Sequence, residues 1–209
     1  MNSSLDFREC LWAAEDPEVQ KSCFLARVYE HKPPKRYVFD QVYTILQHGP
    51  TSGFVTISMI LNGASTADQF FRKTKEKRFT AMGEMFTAAN SGHSPNSRVR
   101  RDFSESVNCS RVIPNACHIV PYDYDVNLSP CLRKGYKAHW TLVVGYLIDH
   151  KDHFYEIVRQ EKSHLLGIWL LSELGESKAI MTEFSQPKQY PEADFILPEG
   201  GIAGPRGFC

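Results

Sequence analysis

Apolar positions follow two regimes along the chain, and each predicts a different kind of element. In the first 90 residues the apolar stretches are helix-length or backed by charged faces, whereas from residue 117 they become β-branched and strand-length. Residues 17–23 read as a short helix, and Phe24-Leu25-Ala26-Arg27-Val28-Tyr29 as a strand or short apolar anchor. A basic connection at 31–36 leads to Tyr37-Val38-Phe39 and Val42-Tyr43-Thr44-Ile45-Leu46. The apolar run 54–61 predicts a helix starting at Ser52 and stopped by Asn62-Gly63, where glycine supplies a left-handed conformation. Ser65-Thr66 ahead of Asp68-Gln69 is close to a capping box and predicts the next helix. Phe70, Phe71 and Thr74 share one side of that helix, with Lys73, Lys75, Glu76, Lys77 and Arg78 as its solvated face. A further helix is expected over 82–89, and loop chemistry with a small basic patch at Arg98, Arg100 and Arg101 over 91–111.

Strands are expected at 117–122, at 139–148 and at 154–159, the last two pairing as a hairpin that turns at 149–153. Another element begins at 168–171, followed by a helix at 172–177, and the tail from 186 is rich in proline and glycine. Helices first and antiparallel strands afterwards give an α+β arrangement. Residues 1–36 form an N-terminal extension and 37–209 one domain.

Composition narrows the function classes. Lys+Arg and Asp+Glu are both 24 in 209 residues, so no global charge points to nucleic acid or a membrane surface. No apolar run approaches a membrane span, and the first eight residues lack the pattern of a signal peptide. Six cysteines at 10, 23, 109, 117, 131 and 209 form no metal-ligand ladder, so reduced thiols, a cytoplasmic location and no metal or cofactor are expected.

The candidate chemistry starts at Gln47-His48-Gly49-Pro50-Thr51-Ser52-Gly53. A polar turn running straight into a helix puts residue 52 at a helix N-terminus, where free N–H groups and the dipole stabilise an anion. A cysteine there would be a thiolate near neutral pH; this chain has the frame of such a nucleophile with Ser52 in place of the sulfur. Gly53 allows a substrate backbone close, and Gln47 can donate its amide to an oxyanion. An ordinary helix capped by Ser52 fits the same local pattern.

His139, beside Trp140 at the mouth of the longest predicted strand, is the natural base for that nucleophile. If the hairpin turns near Lys151, residue 163 lies across from His139, and Gln160 and Ser163 are the groups able to reach it. Asp149 and Asp152 lie at the far end, roughly 33 Å away at ~3.3 Å per residue. Arg133, Lys134 and Lys137 immediately precede the base and suit a clamp for acidic substrate residues; a plain basic loop is the alternative.

The Gln47 to Gly53 motif resembles the nucleophile motif of papain-like peptidases of the bacteriocin-processing type. Pro121-Tyr122-Asp123, Pro130-Cys131-Leu132-Arg133-Lys134-Gly135, Lys137-Ala138-His139-Trp140, Gly83-Glu84-Met85-Phe86, Gln160-Glu161-Lys162-Ser163 and Leu197-Pro198-Glu199-Gly200-Gly201 are more specific, and resemble the actin maturation protease family. That resemblance implies a papain-like fold, with a helix-borne nucleophile packed on a C-terminal antiparallel sheet. It implies a cytosolic cysteine aminopeptidase that removes the acetylated N-terminal Cys or Met from immature actin. Ser52 then stands at the nucleophile position, His139 is the base, Gln47 serves the oxyanion hole, and Gly53, Arg133, Lys134, Lys137 and Trp140 line the substrate. Actin is the implied partner. Profilin is implied only weakly, since just Pro33-Pro34 stands where some members carry a long proline-rich stretch. With serine at 52 the chain is expected to bind and hardly turn over; a natural pseudopeptidase is the alternative. A serine hydrolase is less favoured, for want of a Gly-x-Ser-x-Gly elbow and of an acid behind His139.

Overall fold

The protein is described by a computed structural model over residues 8–28, 32–84, 118–185, 188 and 195–197. Its spine is the long strand β3 (Ala138–Ile148). One edge of β3 pairs with β1 (Arg36–Phe39) over its C-terminal half and with β2 (His118–Asp123) over its N-terminal half. The other edge pairs with β4 (Phe154–Arg159), and β5 (Gly167–Leu170) lies beyond it; every pairing is antiparallel. The expected hairpin of 139–148 and 154–159 is therefore present almost residue for residue.

Helices cover both faces because strand residues alternate between them. On one face Leu142, Val144, Leu147, Ile157 and Ile168 pack with Val55 and Met59 of α2 (Ser52–Ile60) and with Val19 and Cys23 of α1 (Pro17–Leu25). On the other, Val120, Tyr122, Val158 and Trp169 pack with Leu174 of α4 (Leu171–Ala179). Each fully buried side chain of this kind contributes roughly 1.5–3 kcal/mol. The molecule is thus α+β with an antiparallel sheet.

Local signals hold well in the helices. Helix α2 ends at Ile60, with Asn62 and Gly63 at positive φ as the stop. Helix α3 (Ala67–Glu76) begins at Thr66, whose hydroxyl and Gln69 form a reciprocal capping box. Two readings are corrected. Phe24 and Leu25 end α1 rather than start a strand, and Val19, Ser22 and Cys23 carry the buried side of that helix. Residues 82–84 are not helical: Glu84 is a hub that accepts from Thr80 Oγ1 and from the Ala81, Met82 and Ile196 amides, so its carboxylate holds the turn open. The rest of that expected helix, the basic patch at 98–101, the loop over 91–111 and most of the tail lie outside the described residues.

The segment before β1 is tied to the sheet. Arg159, 2% exposed, forks its guanidinium onto Glu18, with Nη2 2.8 Å from Oε2 and Nη1 on Oε1, and Nη1 also donates to Thr44 Oγ1 at 3.0 Å. Cys23 sits deep enough that burial pushes its thiol up to about 12, so it is a neutral core residue.

Candidate active site

Ser52 is the first residue of α2, and Thr51 rather than Ser52 stands at the N-cap. Thr51 Oγ1 donates back to the His48 carbonyl at 2.9 Å, so the turn closes on itself. Gly83 leans on this turn: a Cβ there would lie 2.7 Å from Thr51 Cγ2, and its φ of +104° suits glycine. Gly53 is buried one residue into the helix.

Helix α2 packs directly on β3 through Phe54 and Trp140, which form one apolar cluster. Trp140 is thereby a buried wall between helix and strand. One turn after Ser52, Thr56 Oγ1 lies 2.9 Å from the Ser52 carbonyl and contacts Glu161 Oε1. The other oxygen of that carboxylate, Oε2, stands 2.8 Å from His139 Nε2. Imidazole and carboxylate are 4% and 0% exposed, and they meet at ion-pair distance without a linear hydrogen bond. Ser52, Thr56, Glu161 and His139 thus form one continuous chain of contacts.

Tyr122 lies directly across from His139 in the β2–β3 ladder, with ring centroids 6.0 Å apart, and Tyr124 lies 5.4 Å away on the same side. Burial pushes the Tyr122 hydroxyl above its ordinary range, with the Glu161 charge adding to the effect, so it stays protonated. Gln47 reaches the site through its backbone, donating to the Glu161 carbonyl at 2.9 Å, while its side-chain Oε1 is buried without a hydrogen bond. Gln160 Oε1 accepts from Tyr122 Oη at 3.4 Å, and Ser163 Oγ accepts from the Leu165 amide at 3.0 Å. Neither is the group behind His139; Glu161 is.

The sequence reading missed Glu161 for a definite reason. Near the turn the hairpin keeps the expected register, with Ile148 across from Phe154 and Gly145 across from Ile157. Between Val143 and Gly145 the register slips by one, so that Leu142 faces Arg159. The ladder ends there, with Arg159 the last residue of β4, so a pairing sum carried on to His139 no longer applies: Glu161 lies in the turn that follows, where its carbonyl accepts from the Gln47 amide and its carboxylate faces His139. The slip itself was signalled by Gly145, a lone glycine inside a long strand pattern.

The basic loop is fixed from below. Asp123, fully buried, accepts from the Gly135 and Lys137 amides, both at 2.9 Å. Of the three cations read as a clamp, Arg133 contacts Asp125 at 2.6 Å and Lys134 contacts Glu183 at 3.3 Å. Lys137 instead places its ammonium 5.4 Å from the Tyr124 ring centroid.

Among the described residues no cluster of three or more His, Cys, Asp or Glu side chains is arranged to hold a metal ion. No helix there is long and apolar enough to cross a membrane. The chemistry these residues can perform is proton transfer at His139, steadied by a buried carboxylate that contacts Thr56, one turn into the helix that Ser52 opens.

Comparison with known proteins gives this arrangement a family. Residues 42–147 match the family model "Actin maturation protease-like, C-terminal domain". The chain is 42% identical to an actin maturation protease of Drosophila melanogaster over 95% of its own length and 78% of the relative's. It is 25% and 23% identical to proteins of the same name from Homo sapiens and Bos taurus, each across 79% of this chain. The chain spans 61% and 62% of those two proteins. No solved structure matches it. With the family model and the Drosophila relative agreeing, the chain belongs to the actin maturation protease family.

Proposed function

We propose that this protein is an N-terminal peptidase of papain-like fold whose substrate is immature actin, in the cytoplasm. The observation that carries the reading is the contact chain from Ser52 through Thr56 and Glu161 to His139 in a member of a protease family. Residue 52 holds the nucleophile at the α2 N-terminus, and His139 is its base. Glu161 faces Nε2, so in the working tautomer Nε2 carries the proton and Nδ1 is left with the lone pair that receives the nucleophile's proton. Gln47 and the first amides of α2 receive the oxyanion. The bond broken is the one after an acetylated N-terminal Cys or Met, and the product is an actin with an acidic N-terminus.

In a site arranged for a thiolate a serine hydroxyl is poorly activated, because its pKa lies far above that of a thiol. The chain with Ser52 therefore binds its peptide and turns over slowly. Glu161 favours a second reading specifically: a buried carboxylate behind the imidazole is what a serine nucleophile needs, and Ser52–His139–Glu161 then works as a serine triad.

The test incubates the chain and its Ser52→Cys variant with an acetylated peptide matching an immature actin N-terminus, with mass spectrometry reading the loss of one acetylated residue. Cleavage by the thiol variant and not by the serine form is the expected result. Equal cleavage by both establishes the serine triad. Binding without cleavage by either makes the protein a pseudopeptidase and sinks the proposal.

A further inference from the structure

We infer that Lys137 and Lys162, both placed against the ring of Tyr124, form the subsite that reads acidic side chains on the far side of the scissile bond. The inference rests on the peptidase reading and assigns substrate selection to two lysines and a tyrosine.

Tyr124 stands at the end of β2 with its ring 5.4 Å from that of His139. Lys162 Nζ donates to Tyr124 Oη at 2.6 Å and lies 4.1 Å from the ring centroid; Lys137 Nζ lies 5.4 Å from the same centroid. Two ammonium groups therefore share one aromatic ring beside the base. Neither has a carboxylate at ion-pair distance among the described residues, in contrast to Arg133 and Lys134. The placement is built into the backbone. Lys162 directly follows Glu161, the buried partner of His139, and Lys137 precedes His139 by two residues with its amide pinned by Asp123.

Two ammonium groups against one ring make the potential beside it positive, and an anion held there is attracted by both. The chemistry also fits the reach of the substrate. An enzyme that removes one N-terminal residue has all the remaining substrate on the leaving-group side, at ~3.5 Å per extended residue. Tyr124, 5.4 Å from the ring of the base, is within the span of the first two or three residues after the scissile bond. Lysine ammoniums are compact charges without the fixed fork of arginine, so they suit a run of Asp or Glu in more than one register. The subsite predicts selection by charge rather than by side-chain shape.

The experiment measures binding of two acetylated peptides to the chain with Ser52, by fluorescence anisotropy. One peptide carries Asp at the second and third positions, the other Asn. Each is titrated against the unsubstituted chain, Lys137→Met, Lys162→Met, the double variant, and Lys162→Arg as the charge-keeping control. The acidic peptide should bind more tightly, by roughly fivefold for each lysine, with the preference shrinking as salt rises. The double variant should bind both peptides alike, and Lys162→Arg should keep most of the preference. An acidic preference that survives in the double variant overturns the assignment, as does an unsubstituted chain that does not distinguish the peptides. Failure of the peptidase reading is separate: a Ser52→Cys variant that binds the acidic peptide through these lysines and does not cleave it leaves the subsite standing.

Discussion

At the scale of single residues, the site turns on where one carboxylate sits. Glu161 touches His139 with one oxygen and Thr56 with the other, so it links β3 to α2, the helix that Ser52 opens. Replacing it tests whether it orients the base or merely fills space. In the Ser52→Cys background, Glu161→Gln keeps an acceptor oxygen for Nε2 and a partner for Thr56, and kcat/KM should fall by no more than about tenfold. Glu161→Ala leaves the buried imidazole without its facing oxygen, while Thr56 keeps its bond to the Ser52 carbonyl, and the loss should be about a hundredfold or more. A space-filling role would leave the Gln and Ala variants equally affected, and an Ala variant of unchanged kcat/KM would remove Glu161 from the mechanism.

At the scale of elements, legibility followed the range of the physics. Local chemistry was readable: the capping box at Thr66 and Gln69, the Asn62-Gly63 stop and the span of β4 all stand where the sequence put them. What failed depended on contacts distant in sequence. Phe24 and Leu25 have strand-like neighbours, yet they finish a helix whose burial is decided by the sheet beneath it. Glu161 was hidden because β4 ends at Arg159 and the turn after it, not a ladder register, sets its carboxylate against His139. Gly145 sits where β1 pairs closely with β3: a Cβ there would run into the Val38 carbonyl oxygen and lie 2.9 Å from Phe39 Cα. The fault is with backbone, so it cannot be relieved by turning a side chain. Gly145→Ala should therefore push β1 off β3 and destabilise the fold by about 2–3 kcal/mol, read as a lowered urea midpoint. A variant of unchanged midpoint would mean that β1 tolerates a side chain at this close approach.

At the scale of the whole molecule, the sheet carries a charge problem remote from the chemistry. Glu156 lies on β4 between Tyr146 of β3 and Trp169 of β5, buried, with its Oε2 making no hydrogen bond. Burial alone pushes its carboxyl up to about 8, from an ordinary value of 4.5. Because the folded-state value is the higher of the two, the stability associated with the neutral acid is fully present below pH 4.5 and drains away as pH rises to about 8. Ionised Glu156 then weakens the fold by about 5 kcal/mol, at 1.36 kcal/mol per unit. Glu156→Gln removes the titration and keeps the shape. The difference in unfolding free energy between variant and parent should be smallest at pH 4 and grow in favour of the variant up to pH 9, where it levels off. Urea denaturation at four or five pH values measures it, and a difference that does not change with pH would mean that the carboxyl finds a partner or water when ionised. The effect reaches function through stability. The sheet that holds His139 loosens as Glu156 ionises. Part of any alkaline loss of activity in the Ser52→Cys form should then track unfolding, and Glu156→Gln should remove that part.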